Sequence, residues 1–211
     1  MLLRLLAALL VGLPLGAWSA WSAIRGDIGW SALTVAEWTA WPLEGSPAAD
    51  PYTKAKVASQ GAVPLGVGEG VAFEARSDAA GRPLDLGCNY RLAGRTPKAR
   101  IWTLTAHGPN EDGANGAALV RPDGAVAALT SRDLVRAETG AFAVTVGARA
   151  AAGDWLPLVA PPPPARPRRA DEPAPRHPFR LVLRFYDSPV ATSAELFEPT
   201  MPRVERLNCA A

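Results

Sequence analysis

His107 is followed within five residues by Glu111 and Asp112, in the stretch HGPNEDGANG. An imidazole beside carboxylates is what a general-base pair or the corner of a metal site requires. The surroundings favour a different reading, because Gly and Asn punctuate the stretch and mark it as a solvated surface loop. Asn110, Asp112 and Asn115 also resemble the opening of a calcium loop. Ala114 and Arg121 then stand where its fifth and twelfth positions need oxygen ligands, so that match fails.

A second set of polar groups lies on segments that alternate like strands. Arg91, Arg100, Arg184 and Tyr186 would form an anion-binding cluster if the strands brought them to one sheet face. The alternative is that each arginine faces solvent and pairs across its ladder. Trp102 could stack on a sugar ring, although Trp102 and Trp155 suit core or edge packing better. There is no G-x-S-x-G elbow, and only His107 and His177 could serve a nucleophile. Cys88 and Cys209 are the only cysteines, 121 residues apart, with no CxxC and no clustered histidines. A metal site is therefore not expected, nor is a cofactor. In an oxidising compartment the two thiols would form one disulfide; two separate buried thiols are the alternative.

Compartment is read from the first 25 residues, MLLRLLAALLVGLPLGAWSAWSAIR. Arg4 precedes an apolar run from Leu5 to Ala23, long enough to span a bilayer as a helix. The same run fits a secretory signal peptide, since Ala17-Trp18-Ser19 and Ala20-Trp21-Ser22 have the small-x-small shape of a cleavage site. Trp18 and Trp21 lie at the far end of the run, where indoles anchor in the headgroup layer, which favours a retained transmembrane anchor. Either way the remaining chain crosses the membrane. The expected location is a single-pass inner-membrane protein with its C-terminal domain in the periplasm, or a periplasmic protein if the segment is cleaved.

These residues need a scaffold. The chain of 211 residues is 48% hydrophobic and 20% charged, which suits one globular domain after the anchor. Its net charge of +2 gives no reason to expect a nucleic-acid partner. The 19 glycines and 21 prolines favour turns and strands. Residues 26–49 form a Trp-rich juxtamembrane connector holding Trp30, Trp38 and Trp41, either a belt on the lipid surface or a segment packed back on the domain. A short helix follows, with Asp50 as N-cap, Pro51 at the first helical position and Gly61 past the last turn. Its buried face is expected at Tyr52, Ala55 and Ala58 or Ser59.

From Gly68 onward the period changes to two. GVAFEARSD sets Val71, Phe73 and Ala75 against Ala72, Glu74 and Arg76. LDLGCNYRLAG, RIWTLTAHG, AVAALTS, RDLVRAE, AFAVTVG, RLVLRFYD and RVERLNC continue the pattern between turn signals. Seven or more short strands predict a mainly β protein, an antiparallel β-sandwich or jelly-roll-like domain over 50–211 with the one short helix. A proline-rich loop, 160–178, is inserted in it and excludes helix or central strand.

The ordered motifs CNYRLAG, PKARIWTLTAHG, RDLVRAETGAFAVTVG, GDWLPL and PFRLVLRFYD resemble a bacterial family, domain of unknown function twelve-fourteen. Upstream, WPLEGSPAADPYTKAKVASQGAVPLGVGEGVAFEARSD looks like its membrane-anchored alphaproteobacterial members. The resemblance runs from Trp41 to the C-terminus and implies a jelly-roll-like β-sandwich, often behind one transmembrane helix. It carries over no catalytic residues. The proline-rich insert after Trp155-Leu156-Pro157 departs from the family's compact spacing. The leading expectation is a non-catalytic module that binds a small-molecule ligand or an envelope protein. A hydrolase-type enzyme using His107 with Asp112 or Glu111 and a structural role in envelope assembly are the alternatives.

Overall fold

A computed structural model describes residues 1–25, 32–60, 63–108, 116–160, 176–188 and 199–209. The apolar N-terminal run is one helix, α1, Leu2–Arg25, with Pro14 inside it. Within it Leu6–Ile24 is long and apolar enough to cross a membrane. Most of its described side chains are exposed, while Ala20, Ala23 and Ile24 are half-buried. That spacing puts the three on one face near the C-terminal end. The helix packs against α2, Pro51–Gln60.

α2 starts as its sequence requires. Asp50 Oδ1 accepts the backbone N–H groups of Tyr52 and Thr53 at 2.9 and 3.0 Å, and the Thr53 hydroxyl donates to Oδ2. These bonds, the Thr53 hydroxyl foremost, hold the Asp50 carboxyl below the usual range. The inward face agrees with the expected one only at Ala55: Thr53 is buried and Ala55, Lys56 and Val57 are half-buried, whereas Tyr52, Ala58 and Ser59 are exposed.

Ten strands follow in chain order. The first five are β1 Leu33–Val35, β2 Trp38–Ala40, β3 Gly70–Ala75, β4 Cys88–Gly94 and β5 Ile101–His107. The others are β6 Ala128–Thr130, β7 Phe142–Gly147, β8 Asp154–Pro157, β9 Arg180–Tyr186 and β10 Arg203–Cys209. They form a six-stranded sheet, β1-β2-β3-β9-β5-β6, and a four-stranded sheet, β10-β4-β7-β8. Every pairing is antiparallel except β7 with β8, which is parallel, so the smaller sheet is mixed. RDLVRAE is not a strand. Asp133 caps a turn there, its backbone N–H reaching the Thr130 carbonyl and its carboxylate accepting the Thr130 N–H at 2.7 Å, which consumes the ladder's partners.

The two sheets bury one face each against the other. Phe73, Leu104, Leu183 and Phe185 come from the larger sheet, and Tyr90, Leu92, Val144, Val146 and Leu156 from the smaller, all at 0% exposure. Trp102 on β5 meets Phe142 on β7 with ring centroids 5.1 Å apart, an aromatic contact across the interface. The chain is thus a β-sandwich behind an apolar helix. Two of its strands lie within 26–49, the stretch read as a connector, and Trp38 on β2 is fully buried. Its indole Nε1–H donates to the Pro202 carbonyl at 2.7 Å. The nearby Trp30 lies outside the described residues, as does most of the proline-rich loop.

Cys88 and Cys209 are disulfide-bonded and stand opposite each other in the β4–β10 register. Among the described residues the bond fastens an edge strand, β10, to the strand it pairs with, β4. Closing so long a loop contributes on the order of 4–5 kcal/mol in the chain-entropy model. Urea unfolding with and without reductant should therefore show a loss of about that size. Amide exchange should rise first along Arg203–Cys209.

Candidate functional site

The period of two that fills the core also composes the opposite face of the larger sheet. With Phe73, Ala75, Leu181, Leu183 and Phe185 pointing inward, Glu74, Arg180, Val182, Arg184 and Tyr186 must point outward. The register sets Ala72 opposite Arg184 and Arg184 opposite Thr103, then Glu74 opposite Val182 and Val182 opposite Thr105. Arg180 stands opposite His107 at the next row. A single outer surface therefore carries Tyr186, Arg184, Arg180, Glu74 and His107, drawn from three strands.

Over the β3–β9 part of this surface lies a cleft of about 300 Å³. Its floor is the row of alternating β9 residues with Ala72, Glu74 and Arg76. Trp41, Pro42 and Glu44, then Lys56 of α2 and Val63–Leu65, form its walls. Lys56 Nζ sits 4.8 Å from the centre of the Trp41 ring, a cation–π contact that joins helix to loop. Lys54 Nζ donates to the Pro47 carbonyl at 2.8 Å and ties the same two segments. Gly45 is what allows the rim to close. A Cβ there would collide with the Leu65 carbonyl, so the two wall segments touch backbone to backbone.

The charges in the cleft are arranged in pairs. Arg180 is 5% exposed and its Nε lies 3.5 Å from Glu74 Oε1, while Arg76 Nη2 lies 3.2 Å from Glu74 Oε2. One carboxylate thus serves two guanidiniums, a geometry that offsets the cost of burying Arg180. Burial pushes the Glu44 carboxyl above its ordinary range; Lys56 opposes the shift and Glu74 adds to it. Arg184 is half-buried, and its Nη1 donates to Thr105 Oγ1 at 3.5 Å.

His107 lies beyond Arg180 on the same face, and both of its ring nitrogens are engaged. Nδ1 is 3.0 Å from the Gly116 carbonyl, which can only accept, so Nδ1 carries the proton. Nε2 then accepts from the Thr105 hydroxyl at 2.9 Å. Burial lowers the His107 pKa below its ordinary 6.5; the charges of Arg180 and Arg184 lower it further, against the opposing pull of Gly116 and Glu74. The ring is held neutral as a structural link. Glu111 and Asp112 lie outside the described residues.

The other sequence-derived candidates are dispersed. Arg91 is exposed on the outer face of the smaller sheet, between Glu205 and Thr145. It cannot share a site with Arg184 across the core. Arg100 precedes β5 and pairs with Asp187, both well exposed, a pair worth at most about 1 kcal/mol. Trp102 is 2% exposed and belongs to the core. Of the proposed ligand-binding set, Arg184 and Tyr186 reach the cleft. Among the described residues no three His, Cys, Asp or Glu side chains cluster as metal ligands. Arg180, Glu74, Arg76, Glu44, Lys56 and Trp41 were not foreseen as a group. RLVLRFY does carry the signal for three of the floor residues, since Arg180, Arg184 and Tyr186 recur at even spacing.

Residues 69–190 match a family model described as protein of unknown function (DUF1214), more than half of the chain. The chain belongs to the DUF1214 family. The matched segment includes the cleft's floor, β3 and β9, but begins after α2 and the Trp41 loop. The walls are thus supplied from outside the DUF1214 segment. Among solved structures, the VPA0106 protein of Vibrio parahaemolyticus is similar at 20% identity and a TM-score of 0.52, over 76% of this chain and 36% of that one. An uncharacterised protein of Burkholderia cenocepacia has 16% identity and a TM-score of 0.41, over 79% of this chain and 45% of the other. The DUF1214 chain here therefore spans less than half the length of either structure. The Vibrio likeness shows a shared fold. A comparison with curated proteins gives no match.

Two outcomes follow from this geometry. Gly45→Ala should cost about 1–3 kcal/mol in urea unfolding by forcing the rim apart. Gly66→Ala, where an added Cβ meets only ordinary contacts with Glu69, should be close to neutral. For His107 the folded pKa lies below the unfolded one, so the unfolded chain takes the proton first as pH falls. The neutral ring's contribution is complete above about pH 6.5 and is lost as pH falls through the folded value. The melting temperature should decline over that window, and His107→Gln should flatten the decline.

Proposed function

We propose that this protein is a membrane-tethered, non-catalytic binding module whose cleft on the outer β3–β9 face takes a small polar ligand. The observation that carries the reading is the cleft itself, in which a charged floor built by the sheet meets walls from α2 and the Trp41 loop. Concave sites with a few convergent polar groups on a rigid scaffold are where ligands bind. Two further features support it. The His107 nitrogens are both committed to Gly116 and Thr105, which leaves the most base-like residue without a free lone pair for catalysis. The α1 helix supplies an apolar span, and the Cys88–Cys209 disulfide suits an oxidising compartment. On this reading α1 is retained in the inner membrane and the sandwich faces the periplasm.

A thermal-shift screen of the full chain in mild detergent tests the reading, over sugars, organic acids, phosphate esters, lipids and peptidoglycan fragments. At least one class should raise the melting temperature, and Arg184→Gln should abolish that shift while Arg91→Gln leaves it. Turnover of a hit would overturn the non-catalytic assignment. A panel with no Arg184-dependent hit would remove the binding assignment.

A further inference from the structure

We infer that the ligand of the β3–β9 cleft is a monocarboxylate, held by the Arg184 guanidinium with its apolar body lying over Gly70 and Ala72. This inference rests on the binding reading above and names the ligand's chemistry. Its first support is the pairing of charges. Of the four cations that line the cleft, Arg76 and Arg180 reach Glu74 at 3.2 and 3.5 Å. Lys56 stands over the Trp41 ring, and its charge acts on Glu44. Arg184 has a neutral partner, the Thr105 hydroxyl at 3.5 Å, and forms no ion pair among the described residues. A guanidinium holds five N–H donors in a planar fork, and its matched acceptor is an anion edge that takes two parallel bonds.

The second support is the sign of the surroundings. Glu44 and Glu74 line the same cleft as Arg184. A single negative charge on a ligand is answered by Arg184. A second, as on a phosphate monoester, would be repelled by both carboxylates. A carboxylate presents its two oxygens along one edge and carries one charge, so it meets both conditions.

The third support is room. On β9 the outward row runs through Arg184 and Tyr186, and the β3 residues opposite them are Ala72 and Gly70. A Cβ at Gly70 would run into the Phe185 carbonyl, so this position requires glycine. The sheet beside Arg184 is therefore a low shelf, with no long side chain rising from β3 at these two positions. Trp41, Pro64, Leu65 and the Tyr186 ring line the same cleft and offer apolar surface to the body that carries the carboxylate. The volume of about 300 Å³ suits a body the size of one ring or a short chain.

Full-length protein in a nonionic detergent would be titrated by calorimetry at neutral pH and constant ionic strength. The probes are benzoate, hexanoate, the matching amides benzamide and hexanamide, and phenyl phosphate. The expected result is saturable binding of benzoate or hexanoate, with the amides inert and phenyl phosphate no tighter than benzoate. Arg184→Gln should weaken that binding about tenfold or more, and Arg91→Gln should leave it unchanged. Arg184→Lys should remain several-fold weaker than the parent, because an ammonium keeps the charge without the fork. Should Arg184→Gln not fold, the lysine variant carries the same test. Amides that bind as well as their acids would overturn the inference, as would phenyl phosphate binding more tightly than benzoate. So would undiminished binding by the Arg184 variants, or no binding of either acid. If a compound of another class still binds through Arg184, the module reading stands without the carboxylate; if none does, both fall.

Discussion

The antiparallel register of β3 against β9 decides what each side of this molecule is made of. Phe73 opposite Leu183 and Val71 opposite Phe185 point into the sandwich; Ala72 opposite Arg184 and Glu74 opposite Val182 point out. A slip of β9 by one residue would send Arg184 into the core and Phe185 into solvent. Burying an unpaired guanidinium costs several kcal/mol, and exposing a phenyl ring forgoes about 1.5–3 kcal/mol of transfer free energy. The hydrophobic pattern that folds the sheet is therefore also what assembles the charged surface. No separate device is needed to align Arg180, Arg184 and Tyr186.

That surface shows how a charge is kept within a fold. Arg180 is almost wholly buried, a position rarely tolerated without a partner. Glu74 lies on the neighbouring strand, and the same carboxylate reaches Arg76. A comparable economy appears at Asp78, 1% exposed, which meets both Arg82 and Arg206. There Asp78 Oδ1 also accepts the Ala80 and Arg82 N–H groups at 3.0 Å each, which makes it a turn anchor closed on itself. The Glu74 group differs because it opens on a cleft, with α2 and the Trp41 loop standing over it.

What could be read from sequence follows the range of the interactions involved. Asp50-Pro51 marked the start of α2 because an N-cap is a local bond, and Val71, Phe73 and Ala75 marked a strand because alternation is local too. Arg91 and Arg184 looked equivalent along the chain, both arginines within strand-like runs. Only the assignment of β4 and β9 to different sheets separates them, and that depends on pairings across more than a hundred residues. RDLVRAE alternates well enough to pass for a strand, yet Thr130 and Asp133 spend the backbone's hydrogen bonds on a turn. Trp38 was legible as amphipathic and ambiguous as to place, and its bond to Pro202 links positions 164 residues apart. The cleft was least legible of all, because α2, the Trp41 loop and β9 meet only once the sheet exists.

The disulfide has a consequence for how the chain can be cut. Cys88 and Cys209 close every residue between them into one covalent ring that includes β4 to β10 and the proline-rich stretch. A protease that nicks once inside that ring leaves both pieces joined, and β9 keeps its place under the cleft. α1, α2 and β1 to β3 lie outside the ring. Freeing the sandwich from its N-terminal helix therefore takes a cut on the N-terminal side of residue 88, and a cut between α1 and β1 would shed the whole sandwich intact.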